Sequence, residues 1–288
     1  MNNFSTSDSL FSKNLSLNLG GSFMSLSTPK IMGILNTTPD SFYAGSRVPE
    51  PGQAVERARE MIEQGADILD IGAVSSRPGS EDIPESVELD RFIPVLEALR
   101  EAFPEFPLSI DTWRSGVARS LREQFGINMV NDISAGEFDP EMFPTIAQLG
   151  IPYVMMHMQG TPSTMQEDPV YHQIVNDLLQ FFADKIFQLR QLGVIDMIID
   201  PGFGFGKTLE QNYILLKEFE TFRMFELPVM AGISRKSMVY KVLESDPDHA
   251  LNGTTAAHMA VLLRGANLLR VHDVRAAVET VKIFRQIY

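Results

Sequence analysis

Near the start of the chain, apolar and polar residues alternate in two short runs, Leu15-Ser16-Leu17-Asn18-Leu19 and Ser22-Phe23-Met24-Ser25-Leu26, separated by Gly20-Gly21. Period-two alternation on both sides of a glycine pair predicts a β-hairpin. From Lys30 onward a different unit recurs: a short apolar run, a polar loop, then a longer stretch with apolar residues three and four apart. The apolar runs are residues 31–35, 68–71, 107–110, 128–130, 153–156, 195–199, 228–232 and 267–271. The helical stretches are 53–64, 86–102, 115–124, 140–149, 170–192, 208–219, 251–263 and 274–284. Alternation of the two periods implies parallel strands covered by helices. Eight such units in about 250 residues match a (β/α)8 barrel. The alternative is an open doubly wound sheet, and the shortness of each run favours the barrel. The predicted fold class is α/β: a TIM barrel with an N-terminal β-hairpin. Residues 1–14 carry no pattern and read as a flexible tail. No linker, charge block or low-complexity tract divides residues 15–288, which read as a single domain.

Composition narrows the classes. No apolar run approaches the roughly 18 residues of a membrane-spanning helix, so no membrane role is expected. The N-terminus has neither the basic nor the apolar region of a secretory signal. There is no cysteine, which excludes disulfides, thiolate metal sites and cysteine nucleophiles and fits a reducing cytoplasm. With 24 Lys and Arg against 37 Asp and Glu, the net charge is −13. That argues against a nucleic-acid binder. It leaves room for a small anionic substrate, because a local basic cluster outweighs charges more than about 10 Å away.

Barrel enzymes keep their chemistry at the C-terminal ends of the strands. The residues there are Asn36, Ser75-Ser76-Arg77-Pro78-Gly79, Asp111, Asn131-Asp132, His157, Asp200, Ser234-Arg235-Lys236-Ser237 and Arg270-Val271-His272. Turn propensity alone accounts poorly for two basic clusters after runs seven and eight, where barrels frequently hold phosphate. An anionic group is expected there, with Ser234 or Ser237 capping a following helix. The segment Gly202-Phe203-Gly204-Phe205-Gly206-Lys207-Thr208 is not a Walker phosphate loop, because Pro201 stands where its first glycine belongs. It reads as flexible backbone beside a flat ligand, with Phe205 as an apolar wall.

Taken in order, several segments resemble the dihydropteroate synthases. They are Ile31 to Phe42 (IMGILNTTPDSF), Ser76-Arg77-Pro78-Gly79, Ile110-Asp111-Thr112, Asn131-Asp132-Ile133-Ser134, Met156 to Pro162 (MHMQGTP), Asp200 to Lys207 (DPGFGFGK), Ser234-Arg235-Lys236-Ser237 and Arg270 to Val274 (RVHDV). The resemblance runs from about Leu15 to the C-terminus. It implies a dimeric barrel that joins 4-aminobenzoate to 7,8-dihydropterin-6-ylmethyl diphosphate, with Mg2+ assisting the leaving group, in folate synthesis. It further implies that diphosphate leaves before attack, generating a pterin-stabilised cation.

The site residues follow from the same resemblance. Asp111, Asn131 and Asp200 accept the pterin N–H groups, and Lys236 donates to the ring. Met156 and Phe205 form apolar walls, and Gly204 and Ser237 line the substrate pocket. Arg270 and His272 hold diphosphate, Ser76 and Arg77 contact aminobenzoate, and Asn36 reaches Mg2+. Asp111, Lys236 and Arg270 are the expected catalytic groups. Removing Arg270 or His272 is expected to weaken diphosphate binding and spare an uncharged pterin. The polar loops 37–48 and 75–80 are expected to be mobile and to complete the aminobenzoate pocket on closing. Residues 73–79 read Ala-Val-Ser-Ser-Arg-Pro-Gly against the family pattern Gly-Glu-Ser-Thr-Arg-Pro-Gly, and two of the departures matter. Val74 replaces the glutamate, and Ser76 replaces the threonine. Three other readings remain open on sequence alone: a pterin-binding methyltransferase, an aldolase-type barrel with Lys236 as Schiff-base nucleophile, and a non-catalytic pterin binder.

Overall fold

Strand β3 (Lys30–Asn36) is buried over its middle five residues and opens a parallel sheet. The computed structural model describes residues 15–37, 51–74, 83–165 and 169–288. Around β3 the sheet adds β4 (Ile68–Gly72), β5 (Leu108–Asp111), β6 (Met129–Asp132), β7 (Tyr153–Met156) and β8 (Met197–Asp200) on one side, and β10 (Leu268–Val271) and β9 (Met230–Ala231) on the other. Every neighbouring pair is parallel. A parallel bridge between Ile199 and Val229 joins the two outer strands, so the sheet closes into the expected barrel. Strands buried on both faces read as continuous apolar runs, which is why they were visible in the sequence.

The helices are α1 (Pro51–Gln64), α2 (Glu85–Ala102), α3 (Ser115–Phe125), α4 (Met142–Leu149), α5 (Ile174–Gln191), α6 (Leu209–Lys217), α7 (Ser237–Tyr240), α8 (Leu251–Leu262) and α9 (Val274–Ile287). The longer helices bury a stripe at helical spacing: Ala54, Ala58 and Met61 on α1, for example. Boundaries shift where side chains compete for the backbone. The stretch beginning at residue 170 turns helical only at Ile174, because Gln159 Oε1 takes the Val170 N–H (2.9 Å) and Asp177 Oδ2 takes that of His172 (2.9 Å). The helix expected at 251–263 forms as α8, but the first helix after the seventh run is the four-residue α7. Its N-cap is Lys236, with no side-chain cap, so neither Ser234 nor Ser237 caps it. Ile195, expected in a strand, is 82% exposed.

The hairpin also forms, pairing β1 (Ser16–Asn18) with β2 (Phe23–Ser25). What the sequence could not place is its position. Leu17, Leu19 and Leu26 pack against Met32, Ile68, Met129, Val154, Ile198, Met230 and Leu268, the lower layer of side chains inside the barrel. The hairpin is therefore the plug at the N-terminal ends of the strands. Asn128 Nδ2 donates to the Leu19 carbonyl (3.0 Å) and Asp196 Oδ1 accepts the Asn18 N–H (3.2 Å), fixing its seat. Leu17→Ala should cost about 2–5 kcal/mol. Because the plug lies at the opposite end from the strand C-termini, ligand affinity at that end should be unchanged. Denaturant unfolding paired with calorimetric titration checks both halves.

Candidate active site

Side chains alternate along a strand, so the residues two places beyond the apolar lower layer point into the barrel again, one layer higher. Ile68 is followed by Asp70, Met129 by Asn131, Ile198 by Asp200 and Leu268 by Arg270. A polar layer thus sits on an apolar one at the C-terminal ends.

Arg270 is the hub of that layer. Its Nε donates to Asp70 Oδ2 (2.6 Å) and a terminal nitrogen donates to Asp111 Oδ2 (2.6 Å). Asn131 Nδ2 donates to the same Asp70 oxygen (3.0 Å), which leaves the Asn131 carbonyl oxygen to serve as an acceptor. Asp70 Oδ1 is buried and takes no hydrogen bond from the described residues. Burial pushes the Asp111 carboxyl up to about 7, against the pull of Arg270 and with added repulsion from Asp70. The guanidinium is held above its usual range by the two carboxylates, although burial opposes this.

Asp200 and Lys236 form the second group. A Cβ built on Gly232 would lie 3.7 Å from Lys236 Nζ, 3.8 Å from Asp200 Oδ2 and 4.0 Å from Arg270 Cβ, so the bare glycine gives these three side chains room to meet. Asp200 Oδ1 accepts the Gly202 N–H (2.8 Å). Burial raises the Asp200 carboxyl, with Lys236 the largest opposing influence. Lys236 donates to the Phe203 carbonyl (2.6 Å), and its Nζ lies 4.5 Å from the centroid of the Phe205 ring. Burial lowers the ammonium to about 8, with Asp200 pulling the other way. Phe205 packs with Trp113 and Phe138 against Ile133, Met156, Met158 and Met165, which makes the apolar wall. Gly204 brings its backbone so close that a Cβ would stand 3.4 Å from Lys236 Cδ.

These groups predict a pH window for any ligand that needs Asp111 as acceptor and Lys236 as donor. Affinity should rise as Asp111 ionises through about 7 and fall as Lys236 loses its proton above about 8. Titrating an uncharged pterin across that range checks it, and flat affinity would remove both groups from contact.

The basic clusters need correction. Arg235 turns away from the site: its Nε and a terminal nitrogen grip Asp273 (2.7 and 2.9 Å) and it also donates to the carbonyls of Pro247 and Asp248. His272 is held down to about 4, chiefly by burial and then by Arg270, so it is a neutral imidazole at pH 7. Its Nδ1 lies 3.1 Å from Ser234 Oγ. Among the described residues of the two basic clusters, the cations left facing the site are Lys236 and Arg270. The glycine segment is also not slack. Lys207, at the end of that segment, is buried among its carbonyl oxygens and that of His157. Asn36 stands at the rim: a Cβ on Gly72 would lie 3.2 Å from its Oδ1 and 3.7 Å from Asp111 Cβ. Ser237 opens α7. Ser76, Arg77 and the proposed mobile loops, apart from Thr37, lie outside the described residues. Val74 precedes that segment and supplies no carboxylate.

Asp70 escaped notice because its strand otherwise reads as a plain apolar run, Ile68-Leu69-Asp70-Ile71. A lone carboxylate inside such a run is itself a signal, since a charge buried on both faces demands a partner.

A polar floor of acceptors, two cations and an apolar wall at the mouth of a TIM barrel define a site for a flat heterocycle bearing an anionic group. Residues 32–272 match the sequence profile of the pterin-binding enzymes, and the chain belongs to that family. It is 41% identical over 256 residues to the dihydropteroate synthase of Synechocystis sp., covering 88% of each chain. Against the Escherichia coli enzyme it is 40% identical over 265 residues, covering 91% of this chain and 93% of that one. Among solved structures, the Yersinia pestis dihydropteroate synthase with a sulfonamide drug superposes with a TM-score of 0.89 at 38% identity, covering 95% of this chain and 99% of that one. The Xanthomonas albilineans enzyme with 4-aminobenzoic acid gives 0.88 at 36% identity, covering 96% and 98%. The same enzyme with 7,8-dihydropteroate gives 0.84 at 35% identity, covering 95% and 98%. Within the family the chain is a dihydropteroate synthase, a transferase of folate synthesis. Among the described residues no helix is long and apolar enough to cross a membrane.

Proposed function

We propose that the polar layer binds 7,8-dihydropterin-6-ylmethyl diphosphate and delivers its methylene carbon to the amine of 4-aminobenzoate, with this division of labour. Asp111, Asp200 and the Asn131 carbonyl oxygen accept the pterin N–H groups. A carboxylate takes two parallel N–H bonds and so fixes the ring's orientation. Leaving such a group unpaired costs about 1–3 kcal/mol, which rejects other ring systems. Met156 and Phe205 cover the ring. Lys236 donates to it and offsets the acidic floor. Arg270 and the neutral His272 imidazole receive the diphosphate, while Ser76 and Arg77 are assigned to aminobenzoate.

The carbon–oxygen bond to diphosphate breaks, the electron pair leaves with the diphosphate, and positive charge develops on the pterin methylene. Fixed carboxylates aimed at that charge lower the barrier without reorganising. The aromatic amine then attacks the carbon and loses a proton to solvent, so no general base is required. Mg2+ fits the rim: Asn36 offers a hard carbonyl oxygen, and the missing side chain at Gly72 leaves room beside it. The ion takes few protein ligands, with phosphate oxygens and waters completing its shell. When bound, it neutralises charge on the departing diphosphate.

The observation that carries this reading is the convergence of Asp111, Asn131, Asp200, Lys236 and Arg270 at one end of the barrel. Incubation with both substrates and Mg2+ should form 7,8-dihydropteroate and diphosphate in equal amounts. Absence of dihydropteroate rejects it.

We also propose that two copies pair through the outer face of α6 to α8. Tyr213, Ile214, Val242, Leu243 and Leu251 leave 38–53% of their surfaces exposed there. Large apolar patches on an otherwise acidic surface mark an interface. Light scattering should report twice the chain mass of 32.2 kDa. Val242→Arg should return it to the monomer, and a monomeric parent chain overturns the pairing.

A further inference from the structure

Lys207 is a lysine only 3% exposed that the reaction as proposed does not use. An ammonium has three protons and no lone pair, so it must be surrounded by acceptors when buried. Four lie within reach: the carbonyl oxygens of Phe205 (2.9 Å), Gly202 (3.0 Å) and His157 (3.1 Å), and His157 Nδ1 (3.1 Å). The ring can accept only as a neutral imidazole, and burial together with Lys207 keeps His157 well below its usual range. Lys207 makes no ion pair with a carboxylate among the described residues. An ammonium in a cage of carbonyls resembles a bound monovalent cation that is tethered to the chain.

What the cage holds is the informative part. Gly202, Gly204 and Gly206 have φ of +71°, +84° and +59°, a left-handed path that turns successive carbonyls in different directions. Lys207 grips the carbonyls at positions 202 and 205 and ties both to the end of β7. Between those points lie the groups that Lys236 rests on: the Phe203 carbonyl, and at the far end the Phe205 ring. Asn212 reinforces the segment from α6, with its Oδ1 accepting the Gly204 N–H (2.7 Å) and its Nδ2 donating to the Lys207 carbonyl (3.2 Å). Glycine-rich backbone has many alternative shapes, and without the ammonium the carbonyls of His157 and Phe205 would lose their donor, while that of Gly202 would keep only the Phe205 N–H (3.1 Å).

We propose that Lys207 is a positioning residue for the pterin end of the site: its caged ammonium shapes the 202–206 loop so that the Phe203 carbonyl and the Phe205 ring hold Lys236 beside Asp200. It touches no substrate. The inference rests on the pterin assignment above for its kinetic consequence, but not for its structural one.

Lys207→Met keeps the length of the chain and removes the charge. It should raise KM for the pterin diphosphate at least tenfold and leave KM for 4-aminobenzoate within twofold. Lys207→Ala deletes the atoms that n-propylammonium supplies, so that ion should restore at least half of the lost pterin affinity, whereas n-propanol should not. A readout without substrate is Trp113, the only tryptophan in the chain, which packs on the same apolar cluster as Phe205. Its emission should shift in Lys207→Ala and return with n-propylammonium. If the parent chain binds no pterin while the Trp113 response and its rescue occur, the pterin assignment fails and the loop-shaping role stands. Pterin KM within twofold of the parent in Lys207→Met overturns the proposal. So does an equal rise in both KM values with no rescue by the amine. Failure of both variants to fold assigns Lys207 to stability alone and overturns it as well.

Discussion

Replacing Arg270 with alanine is expected to lower kcat/KM at least a thousandfold and to cost about 3–5 kcal/mol of folding stability. The stability loss comes from what Arg270 leaves behind. Asp70 is fully buried and Asp111 nearly so, and both face the guanidinium at 2.6 Å. Removing the cation strands two neighbouring carboxylates in a low-dielectric layer. The chemistry suffers at both ends of the substrate. Diphosphate loses a cation, and Asp111, already pushed up to about 7, loses the group that most favours its charged form. It would then carry a proton at neutral pH and donate where the pterin N–H needs an acceptor. This revises the expectation that Arg270→Ala spares an uncharged pterin. Because Asp111 and Arg270 share one hydrogen bond, the two halves of the pocket are coupled. Arg270→Lys should recover little, since a single ammonium nitrogen cannot stand in for the two separated guanidinium nitrogens that reach Asp70 and Asp111. Steady-state kinetics, denaturant unfolding and calorimetry with an uncharged pterin measure the three effects. Unchanged pterin affinity would restore the divided pocket.

Asp200→Asn should weaken pterin binding more than tenfold, about 1.4 kcal/mol or beyond, with little change in thermal stability. The Gly202 N–H donates to Asp200 Oδ1, and the asparagine carbonyl oxygen can take over that bond. This satisfies the backbone and keeps the loop in place. It also forces the amide NH2 to the position of Oδ2, the atom beside Lys236 that faces the site. A donor then meets the donors of the pterin and the ammonium of Lys236. The loss therefore exceeds that of one hydrogen bond, while the fold is spared. Calorimetric titration with a dihydropterin decides it, and parent-like affinity removes Asp200 from the ring's contacts.

The strand ends named from sequence do converge. Asp111, Asn131, Asp200, Lys236 and Arg270 meet at one mouth because each follows an apolar run of a closed parallel sheet. Their roles were less legible. In the sequence Arg235, Lys236, Arg270 and His272 look like four equivalent basic groups. Asp273 takes Arg235 away, and burial leaves His272 neutral. Lys207 sits in a glycine segment whose spacing excluded a phosphate loop, and nothing in that spacing reveals the carbonyl cage.

The sequence by itself determined the eight strand–helix units, the hairpin, and the set of polar residues at the strand ends. Hydrophobic period and turn chemistry are local properties, and a neighbourhood of a dozen residues contains them. Only the tertiary structure decided which of those polar residues face one another. Arg270 is separated from Asp70 by 200 positions and from Asp111 by 159. It also decided that the hairpin plugs the barrel floor and which cations remain free for a substrate. Charge state and hydrogen-bond partner depend on distance and burial, and barrel closure sets both by bringing the last strand beside the first.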